Sequence, residues 1–561
     1  MEKTWVSNYP AGVKPEIDIT EYNSIRDLID EKFKTYAGLD AYHCMGRDLS
    51  FADIDTMSRA FAAYLTQDLG LKKGDRIALQ MPNILQYPVA LFGAIRAGLV
   101  VVNTNPLYTA REMEHQFKDS GAKAIVILAN FADKLQEVLP KTSIKHIIVT
   151  ELGDLLGFPK SILVNKVVKH VKKMVPKYHL PQAIKFNHCI QRGRGKKLSK
   201  VEIDINETAI LQYTGGTTGV AKGAELSHKN LLANMLQIRE WMQPVLKAGE
   251  EVILTPLPLY HVFSFTVNCL AFTYMGGKNI LITNPRDIPG FIREMKTHKF
   301  TIMTGLNTLF NALMNNEDFK TIDFSNLKIT VAGGMAMQEA VMKRWLETTK
   351  THIAEGYGLT ESSPVLCCNP IDGTEKIGSI GMPLPSTDIK IANDDGSEVE
   401  SGERGELWAK GPQVMKGYWK KPEETTKIIT EDGWLRTGDV AVIDEQGYFK
   451  IVDRIKDMIL VSGFNVYPNE IEDVVARHPD VLEVAAVGVK DEKSGEIVKI
   501  FIVPRNENCT KESVKAFCKE NLTGYKVPRL IEFKDELPKS NVGKILRRKL
   551  RDMDEAAKAQ P

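Results

Sequence analysis

DRIALQ (75–80), ILQYPVALFGAIRAG (84–98), VVVNTNP (100–106) and TAREMEHQFKDSG (109–121) are the stretch that decides the fold class. The first and third are short apolar runs of strand type. The second carries apolar residues at helical spacing and stops at Gly98, and the fourth opens on Thr109 as an N-cap and closes on Gly121. AKAIVIL (122–128), FADKLQEVL (131–139) and KHIIVT (145–150) continue the alternation. Strands alternating with helices imply parallel sheets covered by helices, an α/β architecture, with ligands beyond the carboxyl ends of the strands.

The chain has 561 residues, so two to four domains are expected from length alone. Its 43% hydrophobic and 26% charged residues are those of an ordinary globular protein. A net charge of +2 gives no reason to expect nucleic acid as a partner. The start, MEKTWVSNYPAGV, lacks the apolar segment of a secretory signal, and no apolar run approaches the roughly 20 residues that cross a bilayer. Cys44, Cys189, Cys269, Cys367, Cys368, Cys509 and Cys518 stand in no metal-ligand spacing and read as reduced core thiols of a cytosolic protein.

Charge is uneven along the chain. Between Pro159 and Lys200 stand twelve Lys or Arg and no Asp or Glu. Within this stretch Ile162, Leu163, Val167, Val171 and Met174 fall near helical spacing, among Lys166, Lys169, Lys172 and Lys173. Such a helix either lies on an anionic membrane surface or is a solvated insertion. A second change falls near residues 453–457. DEQGYFKIVDR (444–454) reads as a hairpin. It is followed by a helix EIEDVVARH, strands EVAAVGV and KIFIV, and a helix KESVKAFCKENL, enough for a small α+β domain. The expected division is therefore 1–453 and 454–561, with the last eleven residues frayed.

The densest chemistry lies at Tyr213-Thr214-Gly215-Gly216-Thr217-Thr218-Gly219-Val-Ala-Lys222-Gly223, after the strand ETAILQ and before a helix capped by Ser227. Glycines let backbone approach an anion, while threonine hydroxyls and Lys222 add donors and charge. It is not a Walker loop, because Ala221 stands five residues after Gly216 where glycine is needed. Gly356-Tyr357-Gly358 is no dinucleotide fingerprint either, since Glu361 follows where glycine would be required.

TGGTTGVAKG resembles the phosphate loop of the acyl-adenylate-forming enzymes. EGYGLTES (355–362), GWLRTGD (433–439), VDRIKDMILVSGFNVYP (452–468) and LPKSNVGKILRR (537–548) resemble further motifs of that family in the same order. The resemblance implies a large N-terminal domain of helix-covered sheets and a small mobile C-terminal α+β domain. It implies that ATP activates a carboxylate as acyl-AMP, and that coenzyme A then takes the acyl group. DGWLRTGDVAVIDEQGYFKIVDR (432–454) is similar to the fatty-acyl version, which implies a long-chain fatty acid. The alternative is a medium-chain or aryl acid.

The resemblance also assigns roles. Thr360 and Glu361 match the pair that holds Mg2+, a hard cation suited to oxygen ligands. Tyr357 matches the ring that stacks on adenine, with Gly333 and Gly334 of VAGGM on the other face. Asp439 and Arg454 match the ribose contacts, and Lys544 matches a lysine that reaches the active site during adenylation, bridging carboxylate and phosphate. Lys456 matches the pivot of a domain rotation that would bring Ser462, Gly463 and Phe464 to line the pantetheine channel. His261 of PLPLYHVFSF (256–265) either orients the carboxylate, gates the acyl pocket or simply packs, and Phe265 is a candidate gate. TIMTGLNTLFNALM (301–314) reads as a buried helix that could wall the acyl tunnel. The expected partners are fatty acid, ATP and CoA, with the cytoplasmic face of the membrane meeting residues 160–200, and the assembly is compatible with a homodimer.

Overall fold

The structure is a computed structural model that describes residues 3–214, 220–400, 402–491, 493–540 and 543–559. The opening stretch folds as its pattern predicts. Arg76–Gln80, Val100–Asn103, Ala124–Leu128 and His146–Thr150 are parallel neighbours in an eight-stranded sheet. They are buried almost throughout because helices cover the sheet. Ala110–Ser120 starts with a reciprocal capping box between Thr109 and Glu112 and ends at Gly121, whose φ of 62° only glycine adopts cheaply. Helix Gln86–Arg96 lies against Phe51–Gln67 so closely that a Cβ at Gly93 would meet the Phe61 ring at 2.7 Å. Arg96 is fully buried there, and its guanidinium is neutralised by Asp30 and Asp55.

A nine-stranded sheet forms the second layer system. Its parallel core runs Ile353–Gly358, Ile329–Gly333, Ile302–Gly305, Val252–Thr255 and Lys278–Leu281, and the hairpin Asp40–Cys44/Arg47–Ser50 closes one edge. A four-stranded antiparallel sheet, from Asp388–Ala392 to Phe449–Arg454, adjoins both and ends in the expected hairpin. The C-terminal residues form a separate antiparallel sheet built on the long pair Val481–Asp491/Gly495–Pro504, with Pro468–Ala476 and Lys511–Asn521 packed on it around Ile471, Val475, Ile500 and Val514. The large and small domains of the α/β expectation are thus both present. All seven cysteines are buried and unbridged.

Lys222–Ser227, after the glycine-rich stretch, is a strand antiparallel to Thr208–Thr214, and the helix His228–Met242 follows it, capped by Ser227 as expected. Two expectations change. Residues 301–314 are not one helix but a strand, Ile302–Gly305, and a helix, Asn307–Met314, because Gly305-Leu306 breaks the run. Residues 551–559 are not frayed. Arg547–Ala559 is helical, Leu550 is fully buried, and Asp554 pairs with Lys499. Its anchor lies 55 residues away, which no local pattern reveals.

The basic stretch is helical over Lys160–Lys166 and continues as a wider π turn, Val167–Val171. Phe158, Ile162, Leu163, Val171 and Met174 are exposed, whereas Val168 turns inward. Among the described residues no helix is long and apolar enough to cross a membrane.

Candidate active site

The carboxyl ends of Ile329–Gly333 and Ile353–Gly358 open into a cleft of about 2150 Å³ between the large domain and the C-terminal one. Gly333 and Gly356 are paired in register there, and Gly334 bends the chain away with φ 85°. At Gly358 a Cβ would lie 1.8 Å from the Pro364 carbonyl, so no side chain fits this turn. Thr360-Glu361-Ser362 follows as a single 3-10 turn.

Tyr357 and Asp439 meet across the cleft. The Tyr357 hydroxyl donates to Asp439 Oδ2 at 2.6 Å, and Arg454 Nε lies 3.3 Å from Oδ1. Asp439 and Arg454 are direct partners in the hairpin Leu435–Ile443/Phe449–Arg454, which explains how residues fifteen apart share one corner. Burial, reinforced by Asp439, pushes the Tyr357 phenol far up, so it remains a donor.

A second corner joins Glu361 and Lys222. Tyr418 donates to Glu361 Oε1 at 2.6 Å, and Lys222 Nζ stands 4.4 Å above the same ring while pairing with Glu424 at 2.8 Å. Tyr418 arrives because Gly417–Tyr418 pairs with the Lys222 strand. Glu424 is held down at about 2 by Lys222 and then Lys427, so the pair stays ionised. Among the described residues no cation lies within ion-pair distance of Glu361, and Thr360 precedes it on the same turn. Oxygen donors without a paired cation are a fitting donor set for a hard divalent ion.

Tyr213 donates to Asp119 Oδ2 at 2.6 Å, and its ring crosses the hairpin over Gly223, where a Cβ would be 3.1 Å away. Gly215, Gly216, Thr217, Thr218 and Gly219 lie outside the described residues.

Lys544 enters from the C-terminal domain. Ser540 and Lys544 close a turn on one another, through Ser540 N to the Lys544 carbonyl at 2.7 Å, with Gly543 at φ 85°. Thr308 of the large domain donates to the Gly543 carbonyl at 3.1 Å, and Asn311 donates to that of Leu482. The lysine stem then reaches Gly334, where a Cβ would stand 3.2 Å from Lys544 Cε. Burial and the Arg454 guanidinium push its ammonium down to about 8, against the opposing pull of Asp439 and Glu361.

His261 also faces the cleft. It caps the turn Val262–Ser264 through Nδ1 and the Phe263 amide, and burial, aided by Lys544, lowers it to about 3. The imidazole is therefore neutral and suits hydrogen bonding or gating rather than ion pairing. Phe265 does not line the cleft. It is 1% exposed and packs in the core, while Phe263 presents its ring, 3.0 Å from a Cβ at Gly333. Deeper in, Ile238, Trp241, Met242, Val267 and Ile380 form an apolar pouch. The helix Asn307–Met314 lies instead under the C-terminal domain.

Lys456 lies on a 3-10 turn, Ile455–Asp457, at the cleft margin, and burial, then Arg454, lowers it. Ser462 and Gly463 form the tip of the hairpin Ile459–Val461/Phe464–Val466, away from the cleft. Phe464 is exposed and stacks on Tyr525 at 4.7 Å. Tyr213, Tyr357, Gly334, Thr360, Glu361, Asp439, Arg454, Lys222 and Lys544 are brought to one cleft, and the 462–464 tip is not. Sequence reasoning missed Tyr418, Glu424 and Asp119. Tyr418 lies in KGYWKKPEE, where a Gly-Tyr strand flanked by a Pro-initiated acidic turn was the available signal.

A family profile described as AMP-binding enzyme matches residues 29–419, and one described as AMP-binding enzyme C-terminal domain matches residues 470–544. The chain is 56% identical over 552 residues to the long-chain-fatty-acid–CoA ligase of Escherichia coli O157:H7, covering 98% of each. It is 53% identical over 560 residues to the long-chain-fatty-acid–CoA ligase of Haemophilus influenzae, covering 100% of this chain and 99% of that one. Among solved structures, that of the anthranilate CoA ligase AuaEII with anthranoyl-AMP superposes with a TM-score of 0.87 at 25% identity, over 97% of this chain and 100% of the other. The chain belongs to the AMP-binding enzyme family.

Proposed function

We propose that this enzyme is an ATP-dependent long-chain fatty-acid–CoA ligase. A fatty-acid carboxylate oxygen attacks the α-phosphorus of ATP, the bond to the β-phosphate breaks, and pyrophosphate leaves. The CoA thiolate then attacks the acyl carbonyl, and AMP departs. The observation that carries this reading is the Lys544 ammonium, delivered by the small domain into a cleft whose other walls hold Asp439, Glu361 and Arg454.

The difficulty of the first step is that two anions must meet. Lys544 offers a compact charge with three donors, suited to spanning a carboxylate oxygen and a phosphate oxygen. Stabilising charge where it develops is the larger contribution such a group makes. Asp439, kept in place by Tyr357 and Arg454, has a carboxylate free to accept from a vicinal ribose diol, and the Tyr357 ring lies alongside for the base. Lys222 and the glycine- and threonine-rich sequence before it hold the phosphates. Thr360 and Glu361 would hold Mg2+, which when bound neutralises phosphate charge. His261, neutral, donates or accepts at the mouth of the apolar pouch.

In the second step the Lys544 turn stands in the way of the thiol. A rotation of residues 454–561 about Lys456 withdraws Lys544 and brings Ser462-Gly463-Phe464 to the cleft. Phe464, exposed beside the Ser462-Gly463 tip, supports that reading by offering apolar surface to the pantetheine arm. Each methylene buried in the pouch contributes about 0.8 kcal/mol, which favours long chains. The exposed apolar residues on Phe158–Met174, ringed by Lys166, Lys169, Lys172 and Lys173, support contact with an anionic bilayer, the source of such substrates. A homodimer is tested by sedimentation at micromolar concentration. The substrate assignment is tested by following AMP release across acids from hexanoate to oleate and benzoate. A rise in kcat/KM with chain length is expected, and a preference for benzoate or hexanoate refutes it.

A further inference from the structure

His43, Glu294 and His298 form a second cluster outside the cleft, on the far edge of the nine-stranded sheet. His43 lies on Asp40–Cys44, the strand next to the sheet edge, while Glu294 and His298 are four apart at the end of the helix Ile288–Thr297. One ligand atom of each residue lies within 4.8 Å of the other two. Glu294 Oε2 is 3.4 Å from His298 Nε2 and 3.9 Å from His43 Nε2. Donor atoms around a tetrahedral zinc-type ion, about 2.0–2.1 Å from the metal, stand about 3.3 Å from each other.

Two observations separate this cluster from a chance grouping. His298 Nε2 is shut off from solvent and has no hydrogen-bond partner, since the Glu294 contact lacks hydrogen-bond geometry. Buried orphan atoms are rare and demand an explanation, an absent ion among them. His43 is oriented from behind: its Nδ1 bonds to Asp48 Oδ1 at 2.7 Å, and Lys278 pairs with the same carboxylate. That contact leaves Nε2 unprotonated, as does the Gly46 amide donating to it at 3.2 Å. A carboxylate fixing the remote nitrogen is the usual support of a metal-bound imidazole. Gly46 stands at φ 73° in the hairpin turn, and its amide must give way for a metal to take Nε2. The same turn is held by Lys160, which donates to the Met45 carbonyl, so the cluster sits under the start of the basic helix.

We propose that His43, Glu294 and His298 bind one divalent transition-metal ion of the zinc class, fastening the edge hairpin to the helix and leaving at least one coordination position to water. The donor set of two imidazoles and one carboxylate suits such metals rather than Mg2+.

The test is titration of the full-length, chelator-stripped protein with Zn2+, and with Co2+ as a spectroscopic probe, both in excess Mg2+. One ion per chain is expected, with a cobalt spectrum of nitrogen and oxygen ligands and a rise in Tm. Glu294→Gln and His298→Gln should each weaken binding at least about tenfold and abolish the rise in Tm, with Mg2+-supported adenylation unchanged. Glu294 is on the helix surface, so its variant keeps the fold. Equal affinity in wild type and both variants overturns the proposal. So does a thiolate charge-transfer band, which would assign the ion to a cysteine such as Cys44.

Discussion

Lys544 is the residue on which adenylation turns, and its environment makes a quantitative forecast. Its ammonium is depressed to about 8 by burial and by Arg454. The charged form is the one that can span two anions, so the sign is set: activity is present below that value and is lost as pH rises through it. For a group of pKa about 8, about 90% is charged at pH 7 and about 10% at pH 9, whereas an ordinary lysine near 10.4 stays about 96% charged. The kcat/KM for adenylation, which reports the free enzyme, should therefore fall about tenfold between pH 7 and 9. The assay is ATP–pyrophosphate exchange with fatty acid and no CoA, so the thiol does not titrate in it. Carboxylate and triphosphate are already ionised across that range. Lys544→Arg, with a guanidinium that does not deprotonate, should lower the rate but flatten the profile. A flat profile in the wild type, or an unchanged slope in Lys544→Arg, refutes the reasoning.

Lys456→Pro fixes φ at the pivot. It should retain pyrophosphate release while lowering thioester formation by orders of magnitude, and equal loss of both half-reactions contradicts a hinge. Arg547 joins Glu472 at 2.7 Å and Asp453 at 3.3 Å, so Arg547→Met leaves the buried Asp453 and the half-buried Glu472 without that partner. It should destabilise the C-terminal domain by roughly 3 kcal/mol, read by hydrogen exchange in 459–504, and unchanged protection there would show the network to be dispensable. Replacing Lys166, Lys169, Lys172 and Lys173 by glutamine should weaken binding to anionic vesicles without changing turnover of a soluble acid. Unchanged vesicle binding returns the helix to a solvated insertion.

The layered fold was readable because its signals are local. Strand and helix periods alternate over 75–150, and Thr109, Gly121 and Ser227 mark ends where the structure has them. The cleft was readable from motifs, each placed at the end of a strand or in a turn. What joins the motifs was not. Lys222 and Glu424 are 202 residues apart, Tyr357 and Asp439 82, and Tyr418 and Glu361 57, and each pair depends on the packing of sheets that no single segment encodes. The Phe265 assignment failed for a related reason: which ring of residues 256–265 meets the cleft is set by packing against the distant Gly333, where Phe263 stands, and Phe265 is buried in the core. The terminal helix was hidden because Asp554 is held by Lys499 of a distant strand, not by its own neighbours.

The central claim is that the protein lets two anions meet at the α-phosphorus. Its most direct test is the nucleotide released when the purified enzyme turns over a long-chain acid, ATP and CoA. AMP and pyrophosphate in equal amounts, one of each per thioester, are predicted. ADP and inorganic phosphate as the products would contradict it.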